Sequence, residues 1–276
     1  MNALDHRQLA SALMPAVLAA GACLLRHRAA GVSSERKADG SPVTAADRDA
    51  EAIITAALAR ADPSTPVIGE EAVAAGHVPS VTGSAFLVDA LDGTREYVRG
   101  GDDFTVNVAL VVDGTPAFGI LLAPAAGRLF ATLGPSRTAA SRIEAHRLAE
   151  VGYQPVLTPV STVEPDPSAL RVLTSRSHRS AETDAFLADF NVARITGIGS
   201  SLKFGLIAAG EADMYPRFGP TSAWDTAAGH AILGAAGGAV TTPGGEPLGY
   251  DLASGDFINP HFVAWGRLSL RDGQRR

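Results

Sequence analysis

The apolar positions of this chain fall into one long run, then many short ones. Leu9 to Leu25 is almost wholly apolar, and the spacing predicts an Ala-rich helix over 4–30. Pro15 would make that helix start late or kink, because proline suits only a first turn or a bend. Gly31 to Pro42 is polar, with Lys37, Asp39, Gly40 and Ser41, and reads as a loop. A second helix is predicted from the Ser41-Pro42 opening to about Arg60, with apolar residues at helical intervals. Thr44 and Asp47 are spaced as a capping pair at its start. Short apolar runs follow: Pro66–Gly69, Ala85–Val88, Asp103–Val112, Pro116–Ala123 and Gly127–Thr132. Each predicts a strand, and Asp113-Gly114 marks a hairpin turn. The first half therefore reads as two helices and then a meander.

The pattern changes near Pro135. Residues 135–168 carry several prolines and suit a boundary with a linking strand or two. Beyond it, strands near 170–174, 192–195, 214–215 and 239–242 alternate with helices near 180–190, 200–209 and 225–236. Such alternation predicts an α/β unit. The expected division is an N-terminal α+β half, 1–134, and a C-terminal α/β half, 135–276.

Composition narrows the function classes. With 276 residues, 46% of them hydrophobic and 19% charged, the chain can bury a substantial core. A formal net charge of -6 argues against general nucleic-acid binding, which requires a basic footprint. Cys23 is the one cysteine, so neither an intrachain disulfide nor a cysteine zinc site is expected. The seven histidines are scattered, so a metal ion here would be held by oxygens, which favours Mg²⁺, Mn²⁺ or Ca²⁺. The N-terminal apolar run resembles a signal peptide in length. Asp5 stands where a basic lead would be, however, and a buried helix of a cytoplasmic protein is the better reading.

The chemistry centres on Phe86-Leu87-Val88-Asp89-Ala90-Leu91-Asp92-Gly93-Thr94-Arg95-Glu96-Tyr97. A strand is expected to stop at Asp89, with Asp92 and then Gly93-Thr94 leading into a helix. Carboxylates hold a hard cation and helix N–H groups hold an anion, so the stretch suits a metal-bound phosphate. Asp92 or Thr94 as a simple N-cap is the competing explanation. Asp47, Glu70 beside Glu71, and Asp225 in Ala223-Trp224-Asp225-Thr226-Ala227-Ala228-Gly229 also sit at ends of predicted elements. Capping accounts equally for Asp47 and Asp225 taken singly.

Together these motifs resemble the inositol monophosphatase superfamily of Mg²⁺-dependent, lithium-sensitive phosphatases. Pro42-Val43-Thr44-Ala45-Ala46-Asp47, Glu70-Glu71, Asp89 to Thr94 and Trp224 to Gly229 carry the resemblance, in order along nearly the whole chain. Asp103 to Asn107, Ser175-Arg176-Ser177-His178, Gly199 to Phe204 and Tyr215 to Pro220 are similar to the branch of 3'(2'),5'-bisphosphate nucleotidases. The resemblance implies a layered αβαβα sandwich of the inositol monophosphatase/fructose-bisphosphatase type.

It further implies two or three Mg²⁺ ions, replaceable by Mn²⁺, held by Glu70, Asp89, the Leu91 carbonyl, Asp92 and Asp225. Asp47 and Thr94, assisted by Glu70, would activate the attacking water, and Gly93 and Thr94 would hold the phosphate. Ser175, Arg176, His178, Ser200, Ser201, Lys203, Arg217 and Asp225 would contact the substrate. The implied reaction removes the 3'-phosphate of adenosine 3',5'-bisphosphate (PAP), extending to its sulfated form PAPS, in sulfur assimilation. Inositol monophosphate or a related sugar phosphate is the alternative substrate, and an inactive nucleotide-binding scaffold the third reading. Monomer and homodimer both stay open, as does attachment to the inner face of the membrane. Ala90 departs from the family, which has proline there. The freer backbone costs about 1 kcal/mol at most in preorganisation.

Overall fold

The computed structural model describes residues 5–36 and 42–270. Helix α1 (His6–Ala30) leads through an antiparallel pair, β1 (Ser34–Arg36) and β2 (Pro42–Thr44), into α2 (Ala45–Ala61). Next come β3 (Val67–Gly69), the short α3 (Glu70–Ala74), β4 (Ser84–Asp92) and α4 (Thr94–Val98). A run of strands follows: β5 (Thr105–Val112), β6 (Thr115–Ala123), β7 (Arg128–Gly134), β8 (Arg137–Arg142) and β9 (Thr158–Val160). The remainder alternates as β10 (Leu170–Ser175), α5 (Ala181–Leu187), β11 (Val192–Ile198), α6 (Leu202–Ala208) and β12 (Met214–Arg217). Helix α7 (Ala223–Ala235), β13 (Ala239–Thr241) and β14 (Phe262–Trp265) complete it.

Strands β3 to β9 form one seven-stranded sheet in sequence order, antiparallel except for β3 beside β4. A second, five-stranded sheet has the order β11-β10-β12-β14-β13. Its first three strands are parallel, and β14 runs antiparallel to both its neighbours. Helices α1 and α2 cover one face of the large sheet, burying Phe86, Val88, Val106 and Ile120. Its other face, through Leu87, Ala109 and Leu121, meets α6 and α7, which also pack on Tyr215 and Phe262 of the small sheet. Helix α5 covers the far side of that sheet with Leu187 against Val172 and Trp265. The layers are thus α, β, α, β, α, as the resemblance implied.

Helix α1 is long and apolar enough to cross a membrane by length and composition alone. Leu9, Leu13, Val17, Ala20 and Leu24 recur every three or four positions and are buried in the first core. The helix runs unbroken through Pro15, which lies on its exposed face. The carbonyl that proline leaves unpaired can there be hydrated.

Other expectations need correcting. Strand β4 does not stop at Asp89 but runs on to Asp92. The large sheet continues past residue 134, so sheet membership changes between Val160 and Leu170. The predicted 31–42 loop instead contains β1 and ends in the first residue of β2; Lys37, Asp39, Gly40 and Ser41 lie outside the described residues, as do the last six. Strand β14 was not foreseen.

Helix α7 sits unusually close to the large sheet. A Cβ at Gly119 on β6 would lie 2.3 Å from the carbonyl oxygen of Ala228. Real Cβ atoms do not approach so closely, so the glycine is what lets the two backbones meet.

Candidate active site

The site begins with an irregularity in β4. Asp89 pairs with Asn107 of β5, and Asp92 pairs with Thr105, so three steps on one strand answer two on the other. Strict alternation would aim Asp89 and Asp92 at opposite faces, and the extra residue of this bulge removes that restriction. Both carboxylates and Leu91 consequently line one cavity of about 350 Å³. Ala90 turns into the α1/α2 core. Although proline is missing at 90, the next peptide is tethered, because the Leu91 N–H donates to Asp89 Oδ1 at 2.9 Å.

After β4 the chain turns at Gly93, whose φ is 92°. A Cβ there would be both in the left-handed region and 2.8 Å from the Asp103 carbonyl oxygen. Thr94 follows, and its hydroxyl lies 3.0 Å from the Leu91 carbonyl and 3.2 Å from Asp47 Oδ1. The other oxygen of Asp47 accepts the N–H and hydroxyl of Thr44, at 2.8 and 2.7 Å. Capping at the start of α2 is therefore real. It fixes the carboxylate that backs Thr94.

Glu70 opens α3, and Asp225, in the first turn of α7, accepts the Ser222 N–H at 2.8 Å. With Asp89, they bring ligand oxygens within 4.8 Å of one another. Burial pushes the Asp89 carboxyl well above the usual range, and the charges of Glu70, Asp92 and Asp225 add to this. Asp225 is raised likewise by burial, Asp92 and Glu70. Clustered carboxylates of this kind fit a hard divalent cation, which would relieve both the desolvation and the repulsion. Burial raises Asp92 as well, against the pull of Lys203. Its Oδ2 accepts the Ser201 N–H and lies 3.3 Å from the Thr105 hydroxyl.

Cations share the cavity. Lys203, 3% exposed, donates to the Ser200 carbonyl and, at 3.1 Å, to that of Ile198. Its ammonium lies 4.7 Å from the Tyr215 ring centroid, and burial lowers it to about 8. Arg217, 6% exposed, has a buried Nε that makes no hydrogen bond. His178 Nε2 stands 2.7 Å from Arg95 Nη1. Burial lowers the His178 imidazole, with Arg217 and Arg95 contributing.

The whole described span carries a family signature. The model of the inositol monophosphatase family matches residues 5–270. The chain belongs to that family. It is 39% identical, over 226 residues, to the 3'(2'),5'-bisphosphate nucleotidase CysQ of Escherichia coli (strain K12), covering 82% of this chain and 86% of that one. Its structure is similar to that of CysQ from Bacteroides thetaiotaomicron, a bacterial member of the same family, with TM-score 0.75 and 34% identity. That likeness covers 95% of this chain and 98% of the other. The Thermotoga maritima IMPase superposes with TM-score 0.71 at 22% identity, covering 96% and 94%, which concerns the fold alone.

In this inositol monophosphatase family member, Glu70, Asp89, Leu91, Asp92, Gly93, Thr94, Ser175, His178, Ser200, Ser201, Lys203, Arg217 and Asp225 all line the cavity. Asp47 is not among the lining residues and reaches the site through Thr94. Arg176 is not among them either. It lies just beyond the end of β10, where neighbouring side chains diverge, and pairs with Asp103 at 2.7 Å. The Ser201 hydroxyl is tied to Asn107 Oδ1 at 2.6 Å, so only its backbone faces Asp92. Sequence reasoning missed Arg95 and Glu96, both cavity-lining, although the cation adjacent to Thr94 was a readable signal. Away from this cavity, Cys23, His27 and Asp49 bring ligand atoms within 4.8 Å of one another, a grouping that the histidine and cysteine spacing did not suggest. There His27 and Asp49 satisfy each other at 2.8 Å.

Proposed function

We propose that this protein is a divalent-cation-dependent phosphatase that hydrolyses the 3'-phosphate of adenosine 3',5'-bisphosphate to AMP and phosphate. PAPS is the proposed second substrate, giving APS, and sulfur assimilation the setting. One observation carries the reading: a carboxylate cluster and a set of buried cations, Lys203 and Arg217, line the same cavity. A bisphosphate needs both, because one phosphate reacts at the cation while the other is held by arginine and lysine. The similarity to the Escherichia coli 3'(2'),5'-bisphosphate nucleotidase CysQ supports the same substrate class.

Glu70, Asp89, the Leu91 carbonyl, Asp92 and Asp225 are the proposed ligands of two or three Mg²⁺ ions, with Mn²⁺ able to substitute. Bound there, the ions would neutralise phosphoryl charge and acidify water. The chain's own residues do the rest. Gly93 and Thr94 offer backbone N–H groups to the phosphate oxygens. The Thr94 hydroxyl holds the attacking water and passes its proton toward Asp47 Oδ1, whose Oδ2 stays pinned by Thr44. His178, Ser200, Lys203 and Arg217 hold the remainder of the nucleotide, with Arg95 added to that set.

The test is Mg²⁺-dependent phosphate release from adenosine 3',5'-bisphosphate, inositol 1-phosphate and fructose 1,6-bisphosphate in parallel, with and without lithium. Preference for the nucleotide, suppressed by lithium, is the expected outcome. Preference for either sugar phosphate overturns the nucleotidase reading, and release from none favours a binding scaffold.

A further inference from the structure

Helix α2 carries two buried acids one turn apart, Asp47 and Glu51, at 3% and 7% exposure. Asp47 serves Thr94, as described. Glu51 reaches a different element. Its Oε2 accepts the N–H of Glu71 and its Oε1 that of Ala72, both at 2.9 Å. These are first-turn amides of α3, which have no partner within their own helix. The local cap residue, Gly69, has no side chain with which to satisfy them. A carboxylate from another helix takes that place.

The arrangement needs the glycine. A Cβ at Gly69 would lie 2.5 Å from Glu51 Oε1. The sequence Gly69-Glu70-Glu71-Ala72 is therefore held on both sides of Glu70, by a glycine that admits Glu51 and by two amides that bind it. A serine at 69 would cap α3 without burying a charge. A buried carboxylate is the more demanding solution, because its desolvation must be offset by charge-assisted hydrogen bonds. What it adds is a fixed relation between α2 and the backbone that carries Glu70.

We propose that Glu51 is a positioning residue for the cation site: by clamping the two amides after Glu70, it sets the Glu70 carboxylate against Asp89 and Asp225. The inference rests on the reading that Glu70 holds a divalent cation. It assigns Glu51 no contact with substrate, cation or water. Residues that orient a ligand in this way typically change metal affinity about 10–100-fold when altered.

The test compares the wild-type chain with Glu51→Gln, Glu51→Asp and Glu70→Gln. Mg²⁺ alone is titrated calorimetrically, without substrate, and thermal unfolding is followed with and without Mg²⁺. Glutamine keeps the shape of Glu51 but has one acceptor oxygen, so only one amide stays satisfied. E51Q is expected to weaken Mg²⁺ binding about 10-fold or more. E51D is expected to weaken it as well, since its shorter side chain cannot span both amides. In turnover the Mg²⁺ requirement should rise while kcat at saturating Mg²⁺ changes far less. If E51Q lowers the unfolding temperature of the metal-free protein but binds Mg²⁺ as wild type does, Glu51 is only a helix cap and the proposal is overturned. If E51Q does not fold, Gly69→Ser and E51D carry the same question, and wild-type Mg²⁺ affinity in both would overturn it. A wild-type chain that binds no Mg²⁺ removes the phosphatase reading and this inference together.

Discussion

Thr94 Oγ1 lies 3.2 Å from Asp47 Oδ1, joining the end of β4 to the start of α2. A hydroxyl so placed can hold water and hand on its proton, and valine at 94 cannot. Thr94→Val is expected to lower kcat about 10²–10⁴-fold, the usual scale of general-base catalysis, with little change in KM. Thr94→Ser keeps the hydroxyl and should stay within about 10-fold of wild type. Phosphate release at saturating Mg²⁺ reads both, and wild-type kcat in T94V would remove Thr94 from the proton path.

Gly93→Ala tests the turn beside it. Alanine would have to adopt a φ of 92° and meet the Asp103 carbonyl at 2.8 Å. Strained backbone of this kind costs about 1–3 kcal/mol. Urea unfolding should show that loss, and inorganic phosphate should inhibit the variant less than wild type. Unchanged stability would mean that the turn relaxes freely.

Lys203 is expected to give the site a pH limit. Its pKa is lowered to about 8 by burial, so the ammonium is charged below that pH and loses its proton above it. KM for adenosine 3',5'-bisphosphate should therefore rise as pH passes 8. Lys203→Ala should start with a raised KM and lack that rise, and should affect a bisphosphate far more than a monophosphate. Equal effects on the two substrates would take Lys203 out of the substrate site.

His230, in the middle of α7, is expected to contribute to the loss of stability in acid. Burial pushes its imidazole down from 6.5 to about 4. As pH falls below 6.5 the unfolded chain takes up a proton that the folded chain refuses until about 4. Stability is thus complete above the unfolded value and drains away between the two. His230→Gln should flatten that slope in urea unfolding between neutral and acid pH, and an unaltered slope would assign it to other groups.

What was legible in the chain followed local physics. Strands β5 and β6 announced themselves by apolar runs around Asp113-Gly114, and the start of α2 by Thr44 and Asp47. Glu70, Asp89, Asp92 and Asp225 stood at element ends, where carboxylates draw attention. The misses were matters of partnership at a distance. Nothing near Glu51 says that its carboxylate caps a helix twenty residues on. Arg176 sits beside the cavity-lining Ser175, and only the fold brings Asp103 to claim it. The bulge in β4 needs β5 as its reference, and β14 needs β12 and β13 to make it a strand.

The absent methyl at Gly119 acts as a spacer gauge for the chemistry. Helix α7 rests on that notch through Ala228, and Asp225 rides at the same helix's first turn. A methyl on β6 would lift the helix and carry Asp225 away from Asp89, widening the carboxylate cluster from a position that touches none of it. Substitution at this remote glycine is expected to loosen the cluster while leaving every acidic residue in place.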